Sequence, residues 1–524
     1  MKTKYLLIPL LLFASCNKGD DPEQIVFPDS GPVEHEMIVL GEQLEDPYSV
    51  ANVTKALATL YPTKAGRTDV SATDLYVRFL PKNDDEFSRL LALGLDLSDH
   101  PCDYRILKEG DYYHDPSLSD DTITWQYAVV PTGFSFPEGI KAEVLDNCFI
   151  SEHAVTRAGF DDEVDWAAVE RLSFIQTGNG DLLQPETRAE SFAPEGRITI
   201  VDDEYAGGKP IGVSGVKVVC NSFVKFATAY TDRDGYYRMG RKFSSNVRYR
   251  ILFKNEKKFS LGVNLILVPA SVSTLGTGNP EGVDFNVTKE SDRKLFTRCV
   301  VNNAIYDYIT RCSTEDMDIK TPPTDLRIWI FQKLSSSSTM MLHHGAVVDA
   351  VMLGQYLEIY KDLIKHFSPD VTIGVKDHET YGDIYRAAVH EMAHCSHYAS
   401  VGNGYWNHFI KYIILSYIGT GGQTYGNGTG SDAGYCEVGE CWAYYMENVL
   451  SMERYGGPMP SYGTSYWFYP QIFRYLEERG LTRAMLFRAL TAETVSKEAL
   501  HARLVDLYPE YTSAIDQVFA RYSN

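Results

Sequence analysis

Residues 390–394 read His-Glu-Met-Ala-His, inside a segment from Thr380 to Ser400 whose hydrophobic pattern predicts a helix. Residues four apart on a helix lie on one face, so His390 and His394 can both direct an imidazole at one metal ion. Glu391, beside the first histidine, can reach a metal-bound water as a general base without being a ligand itself. The pentapeptide therefore predicts a metal site with two histidine ligands and a catalytic glutamate.

The apolar residues of this segment indicate a helix that packs against a hydrophobic core. At about 100° per residue, Ile384, Ala388, Cys395 and Ala399 fall on one stripe, and His390 shares a different face with His394. The stripe predicts that the helix is held against a core, with Cys395 as a small buried residue.

A third protein ligand is expected, because catalytic zinc sites usually have three and keep a fourth position for water. The metzincin arrangement needs Gly three residues after the second histidine and a further His three residues beyond. Those positions hold His397 and Ser400 here, which excludes that arrangement. We interpret His397, one turn past His394, as a residue beside the site or at the surface rather than as a ligand.

A second motif lies downstream, where residues 434–444 read Gly-Tyr-Cys-Glu-Val-Gly-Glu-Cys-Trp-Ala-Tyr. It resembles the glutamate helix of thermolysin-like and fungalysin-like gluzincins, which are zinc metallopeptidases. On that resemblance Glu440 is the third metal ligand and the metal is Zn²⁺, with Glu437 as the alternative ligand. The position four residues after the ligand, which in those families often holds an Asp that orients a ligand histidine, holds Tyr444 here.

Residues 291–524 are predicted to form an α+β body, because strands precede a long helix and then a helical subdomain. The resemblance implies a zincin-like catalytic domain, in which a strand beside the active helix binds the substrate. We expect Leu326 to Phe331 or Asp370 to Val375 to be that strand. The predicted helices are Leu295–Ile309, Val348–Phe367, Thr380–Ser400, Pro470–Glu478 and Lys497–Leu507.

An oxyanion-stabilising Tyr or His is also expected in such a site. The sequence does not rank the tyrosines that follow Glu440, and His501 is the only later histidine. These tyrosines include Tyr444, Tyr445, Tyr455, Tyr462, Tyr466 and Tyr469.

Residues 191–290 contain short apolar runs at regular spacing, which indicates a β-rich domain. Residues 231–237 read Thr-Asp-Arg-Asp-Gly-Tyr-Tyr and predict a hairpin turn that leads into an aromatic strand. This stretch resembles the transthyretin-like, carboxypeptidase-regulatory-like β-sandwich, a structural or interaction module without catalytic residues. Asp232 and Asp234 are more readily explained as turn residues than as a Ca²⁺ site.

The N-terminus predicts export. Lys2 and Lys4 precede an apolar run from Tyr5 to Phe13 that is too short to span a bilayer but fits a signal peptide. The run leads into small residues and Cys16, which resembles a bacterial lipobox and predicts lipidation of Cys16. We therefore expect a signal peptide over 1–15, an acidic tether over 16–22 and an outer-membrane lipoprotein of the cell envelope.

Residues 23–190 mix short β-like runs with polar loops and contain no motif that indicates chemistry, so a prodomain, a binding module and a spacer all remain open. The 524 residues carry a formal charge of −21, which argues against a nucleic-acid partner. Hydrophobic residues make up 44% and charged residues 23%, as in a folded protein of several domains. The nine cysteines are too few for a scaffold built on disulfides.

The sequence thus predicts a multidomain, lipid-anchored zinc metallopeptidase that acts on extracellular proteins or peptides. Two alternatives remain: a surface-binding lipoprotein whose metal domain is an inactive scaffold, and a zinc hydrolase of non-peptide amides. The intact set of His390, Glu391, His394 and Glu440 favours a hydrolase, because a degenerate site would be expected to lose Glu391 early.

Overall fold

The computed structural model describes residues 16–17, 36–63, 68–119, 122–154, 163–183, 191–262, 272–314, 317–332, 336–346, 369–420, 425–458 and 466–522. Within these ranges the protein is multidomain, with β-sheets in its N-terminal half and a helical C-terminal region. The predicted signal peptide and most of the acidic tether lie outside the described residues, as does the predicted helix from Val348 to Phe367.

Residues 36–183, called the N-terminal module below, contain two small antiparallel sheets, β2–β4 and β5–β3–β6. Helices α1, α2 and α4 begin after Ser49, Asn83 and Asp165, whose side chains accept hydrogen bonds from backbone N–H groups of the first turn. The elements are β2 (Val39–Gln43), α1 (Val50–Leu60), β3 (Asp74–Leu80), α2 (Asp84–Ala92), β4 (Tyr104–Lys108), β5 (Gln126–Pro131), β6 (Lys141–Cys148), α3 (Ser151–Ala154) and α4 (Trp166–Gln176).

Residues 191–290 form strands that belong to two sheets. One sheet contains β11, β7, β15 and β8, and the other contains β9, β10, β12, β13 and β14 together with strands from elsewhere. The strands are β7 (Glu195–Val201), β8 (Pro210–Gly212), β9 (Val216–Ser222), β10 (Lys225–Tyr230), β11 (Tyr236–Arg238), β12 (Val247–Asn255), β13 (Phe259–Gly262), β14 (Val272–Gly278) and β15 (Phe285–Val287).

The turn at 232–235 differs from the sequence prediction. β10 pairs with β9 and β11 pairs with β7, so the turn carries the chain from one sheet to the other and does not close a hairpin. Oδ1 of Asp232 accepts hydrogen bonds from the backbone N–H groups of Asp234 and Tyr236, each at 2.9 Å. Asp232 is therefore a turn residue, as its sequence context indicated.

The larger sheet continues into the C-terminal region, where β13 pairs in parallel with β16 and β16 pairs in parallel with β18. β17 runs antiparallel to β18, and the two-residue strand β1 (Cys16–Asn17) pairs with the other side of β17. One hydrophobic core spans this sheet and the C-terminal helices, from Ile198 to Phe519. The strands and helices are α5 (Arg293–Cys312), β16 (Leu326–Gln332), β17 (Ser336–Thr339), β18 (Val371–Val375), α6 (Tyr381–Thr420), α7 (Ala433–Tyr455), α8 (Gln471–Glu478), α9 (Arg483–Arg488), α10 (Lys497–Leu507) and α11 (Thr512–Phe519).

Helices α6 and α7 pack against each other and form the centre of the C-terminal region. α6 is interrupted at Gly402, whose φ of 75° a glycine adopts without strain. The interruption lets the second half of α6 place Trp406 and Phe409 against His394. Among the helices that the structure describes, none combines the length and hydropathy needed to cross a bilayer.

Candidate metal centre

Helix α6 carries the His-Glu-Met-Ala-His motif. Three of the four residues of the predicted core stripe, Ile384, Ala388 and Cys395, are fully buried, whereas Ala399 is partly exposed. His390, Glu391 and His394 are also fully buried, since α7 covers their side of the helix. Both sides of this part of α6 therefore lie inside the protein. In this conformation the site is closed to solvent.

Three side chains converge at the α6–α7 contact. His390 Nε2 lies 3.1 Å from His394 Nε2, and the carboxylate of Glu440 on α7 lies 3.4 Å from the first nitrogen and 3.5 Å from the second. Two atoms that each lie 2.0–2.1 Å from a tetrahedral centre are about 3.3–3.4 Å apart. The His390, His394 and Glu440 group could therefore hold a metal ion, and its spacing is that of three ligands of one ion.

The carboxylates around His390 give the site a preference for positive charge. Burial alone would lower the pKa of His390, but Glu440 and Glu447 outweigh it and raise that pKa to about 10. Burial raises the pKa of Glu440, and the two neighbouring histidines more than offset it, so the pKa of Glu440 is lowered overall. A bound cation would supply the same positive charge and would take the place of the proton on His390 Nε2.

Glu447 is a residue of this site that the sequence analysis missed. Its Oε2 lies 2.9 Å from His390 Nδ1, the nitrogen that faces away from the ligand cluster. A carboxylate in this position accepts the Nδ1 hydrogen and fixes the histidine with its Nε2 lone pair toward the metal. Glu447 follows Glu440 by seven residues, two turns along the same face of α7, so helical spacing is the signal that would have found it.

Glu391 is held apart from the three ligand residues. Thr339 at the end of β17 donates a hydrogen bond from its hydroxyl to Glu391 Oε2 at 2.7 Å. Glu391 is not in the group whose ligand atoms lie within 4.8 Å of one another. It is adjacent to the three candidate ligands without belonging to them, a position from which a carboxylate could act as a general base.

Helix α6 contacts β18, one of the two strands that the sequence analysis named, and also β17, which it did not identify. β16 and β18 each have a strand of four or more residues on both sides in the sheet, so neither has a free edge for an added peptide. The outer side of β17 is bordered by the two-residue strand β1, and β17 contacts Glu391 through Thr339. Its sequence, Ser-Ser-Ser-Thr, lacks the alternating apolar pattern that predicts a strand.

The two alternative ligands have other contacts. Glu437 faces α10, where its carboxylate accepts a hydrogen bond from the backbone N–H of Lys497 at 3.1 Å. His397 is fully buried against the rings of Tyr405 and Trp406, and neither of its ring nitrogens has a hydrogen-bond partner among the described residues. Burial lowers the pKa of His397 to about 3, so this ring is neutral.

The structure separates the tyrosines that the sequence could not rank. The ring of Tyr444 lies 4.6 Å from the ring of His390, and its hydroxyl is 3.1 Å from the hydroxyls of both Tyr425 and Tyr466. Tyr455 binds Asp202 instead. The other tyrosines lie elsewhere: Tyr445 packs against Trp442 and Phe473, Tyr469 stacks on Tyr522, and Tyr462 lies outside the described residues.

The remaining predicted residues play no part in the cluster. His501 pairs with Asp516 on the outer face of α10 at 2.8 Å. Cys436 and Cys441 are both buried and unbridged, as their spacing on a helix predicted, and the other cysteines from Cys102 onward are also free. The side chain of Cys16 lies outside the part of the chain that the structure describes.

Comparison with known proteins identifies no relative of this chain. No protein-family model, no curated protein and no solved structure matches the chain. The functional argument therefore depends on the residues of the site.

Proposed function

We propose that this protein is a zinc-dependent metallohydrolase that cleaves peptide bonds in extracellular proteins or peptides. The observation that carries the proposal is the spacing of the His390, His394 and Glu440 ligand atoms, 3.1–3.5 Å, beside a glutamate that is held out of that group. Two histidines and one carboxylate with the His-Glu-x-x-His spacing are the donor set of catalytic zinc in metallopeptidases.

Residues of the site have separate roles in the proposed reaction. When bound, Zn²⁺ would supply a Lewis acid that lowers the pKa of a coordinated water toward about 7. Glu391 accepts a proton from the attacking water and returns it to the leaving amine. Thr339 orients the Glu391 carboxylate through the 2.7 Å hydrogen bond, and Glu447 orients His390.

The substrate would bind as an extended segment along β17, because the backbone edge of a strand can pair with an added peptide. The outer edge of β17 pairs with Cys16–Asn17 in the structure, which supports its ability to accept another strand. The carbonyl to be cleaved would then lie between this edge and the α6 histidines. Tyr444 and Tyr466 are the best-placed groups to donate a hydrogen bond to the oxyanion.

We further propose that residues 291–524 form a zincin-like domain and that residues 191–290 form a transthyretin-like β-sandwich. The packed α6–α7 pair beside a sheet supports the first assignment, and the two sheets built from β7–β15 support the second. Lipidation of Cys16 would hold the protein in the cell envelope, as an outer-membrane lipoprotein.

Replacement of Glu391 by Gln tests the catalytic role. The variant keeps the side-chain size but cannot take up a proton, so we expect full zinc occupancy and peptide hydrolysis lower by about 10² to 10⁴-fold. Zinc content and cleavage of a broad peptide library are measured on the same preparation. Glu437→Gln, a substitution of the same kind on α7, is the control that should keep both properties.

Three results would contradict the proposal. Undiminished cleavage by a zinc-loaded Glu391→Gln protein would show that Glu391 is not the base. Full zinc in the wild type without cleavage of any peptide would favour the inactive scaffold, and hydrolysis of small amides alone would favour the non-peptide hydrolase.

A further inference from the structure

The N-terminal module contacts the rest of the chain, residues 191–522, through ion pairs in which the negative charge is always on the module. In the ion pairs below, the module supplies the carboxylate and the rest of the chain supplies the base, an arrangement that gives docking its specificity. The pairs are Asp84 with Arg327, Asp96 with Lys217, Glu109 with Arg248, Asp111 with Lys294 and Arg298, and both Glu152 and Glu170 with Lys225.

An apolar anchor lies among these ion pairs. The tip of the β9–β10 hairpin places Phe223 and Val224 in a cluster with Tyr48 and Phe174 of the module, and both anchor residues are buried. Phe223 has a φ of 50°, a conformation that a bulky residue rarely adopts. Burial of its ring against Phe174, at a distance of 5.8 Å between ring centres, offsets this strain. The conformation of the hairpin tip therefore depends on whether the module is docked.

Two histidines of the module bridge the same interface. His100 Nδ1 lies 2.7 Å from Asp99 Oδ1, and its Nε2 lies 2.7 Å from a guanidinium nitrogen of Arg248. An arginine can only donate hydrogen bonds, so Nε2 must be the acceptor and must carry no proton. The docked state therefore requires neutral His100, protonated on Nδ1 alone.

His153 repeats this arrangement at a second point. Its Nδ1 lies 2.7 Å from Asp74 Oδ2, and its Nε2 accepts a hydrogen bond from Arg241 of the β11–β12 connection. The same limit on arginine applies, so Nε2 of His153 is the acceptor in this contact. His153 is more exposed than His100, with 39% of its side chain accessible against 6%. At the buried bridge, protonation of His100 would remove its hydrogen bond with Arg248 and set an imidazolium against a guanidinium.

We propose that the His100 bridge makes docking of the N-terminal module pH-dependent, so that its attachment to the rest of the chain weakens as the pH falls from 7.5 to 5.5. The charged groups that face His100 are Asp99, Arg248 and Arg250, with Glu109 paired to Arg248. Asp74 and Arg241 face His153, and Glu152 beside it is paired with Lys225.

The direction of the effect follows from His100. Burial lowers its pKa, Asp99 opposes this, and Arg248 and Arg250 add to the lowering, so the pKa ends below its usual value near 6.5. A pKa lowered by docking gives full attachment above that value and loses it as the pH falls. One pH unit below 6.5, a histidine that is protonated only in the released module shifts the docking equilibrium by about tenfold.

The carboxyl groups with shifted pKa values do not explain a loss of docking between pH 7.5 and 5.5. Opposite charges hold the pKa of the interface carboxyls Asp111 and Glu152 below their usual range despite their burial. Burial raises the pKa of Asp46 to about 7, but its partners Tyr48 and Cys148 lie inside the module. A raised carboxyl pKa favours the folded module at lower pH, so Asp46 opposes unfolding of the module on acidification.

Hydrogen exchange of the hairpin tip in the full chain tests the proposal. Amides of residues 222–225 are followed at pH 7.5 and 5.5, with rates corrected for the intrinsic effect of pH. We expect the corrected rate of the wild type to rise by up to about tenfold. The variant His100→Gln should show no rise, because glutamine can donate to Asp99 and accept from Arg248 without titrating.

His114→Gln is the matched control, because His114 binds the carbonyl of Thr122 within the module and should leave the wild-type response unchanged. A wild type with equal protection at both pH values would overturn the proposal, and so would a His100→Gln variant that responds like the wild type. If His100→Gln is already unprotected at pH 7.5, the variant His153→Gln decides, because it retains His100. It should keep the response of about tenfold, and loss of that response would refute the role of His100.

Discussion

Replacement of Glu447 offers a strict test of the candidate metal centre, because this residue contacts His390 and would act on a bound metal only through that histidine. Substitution of such an outer carboxylate typically weakens metal binding by 10–100-fold. In Glu447→Gln the side-chain carbonyl can still accept the Nδ1 hydrogen across the 2.9 Å contact, but the negative charge that helps to raise the pKa of His390 is lost. We expect a loss of zinc affinity at the low end of this range, about tenfold or 1.4 kcal/mol.

Glu447→Ala removes the hydrogen-bond acceptor as well and leaves a buried Nδ1 hydrogen without a partner. We therefore expect the high end of the range, about 100-fold or 2.7 kcal/mol. Zinc affinity is measured at pH 7.5 by competition with a chromophoric chelator, and the melting temperature of the metal-free proteins shows whether they are folded. Glu437→Gln and Glu437→Ala are the matched controls, since Glu437 lies on the same helix but binds Lys497. Wild-type affinity in Glu447→Ala, or equal losses in the Glu437 pair, would refute the assignment.

The remaining predictions concern the third candidate ligand Glu440, the lipid anchor at Cys16 and the buried ion pair of His344. Glu440→Ala should lower zinc content far below that of Glu437→Ala, because only two protein ligands remain; equal zinc contents by metal analysis would count against Glu440. Cys16→Ser should move the protein from the membrane fraction to the soluble fraction, and unchanged partition would exclude the lipid anchor. Burial lowers the pKa of His344 but Asp370, 2.9 Å away, outweighs it, so the pKa is raised overall. Its stabilisation is complete below pH 6.5 and is lost as the pH rises through the raised value, so the melting-temperature advantage over His344→Gln should shrink between pH 6 and pH 9.

Local sequence patterns predicted the parts of the site that lie on one helix. The spacing of His390 and His394 was enough to place both on one face of α6, and the second motif placed Glu440 on a second helix. Helix α10, Lys497–Leu507, has the predicted bounds, and α5 extends the predicted helix at both ends. These features depend on residues a few positions apart, where helical periodicity is informative.

The features that the sequence did not predict depend on pairing between distant segments. β17 has a serine-rich sequence and is a strand because it pairs with β18 and packs on α6. The turn at 232–235 has the composition of a hairpin turn, but the partners of β10 and β11 lie in different sheets, which no local pattern records. Glu447 becomes part of the site only once α7 is known to face α6.

The continuity of the large sheet limits how this protein can be shortened. β13 lies before residue 291 and is the parallel neighbour of β16, which follows it. A protein that begins at residue 291 would expose the backbone N–H and C=O groups of β16 as a new, uncovered sheet edge, and such edges promote self-association. The same cut would uncover the apolar core that the strands before and after it share. Soluble fragments should therefore retain the preceding strands, and aggregation of a shorter one would reflect the cut rather than a defect of the metal centre.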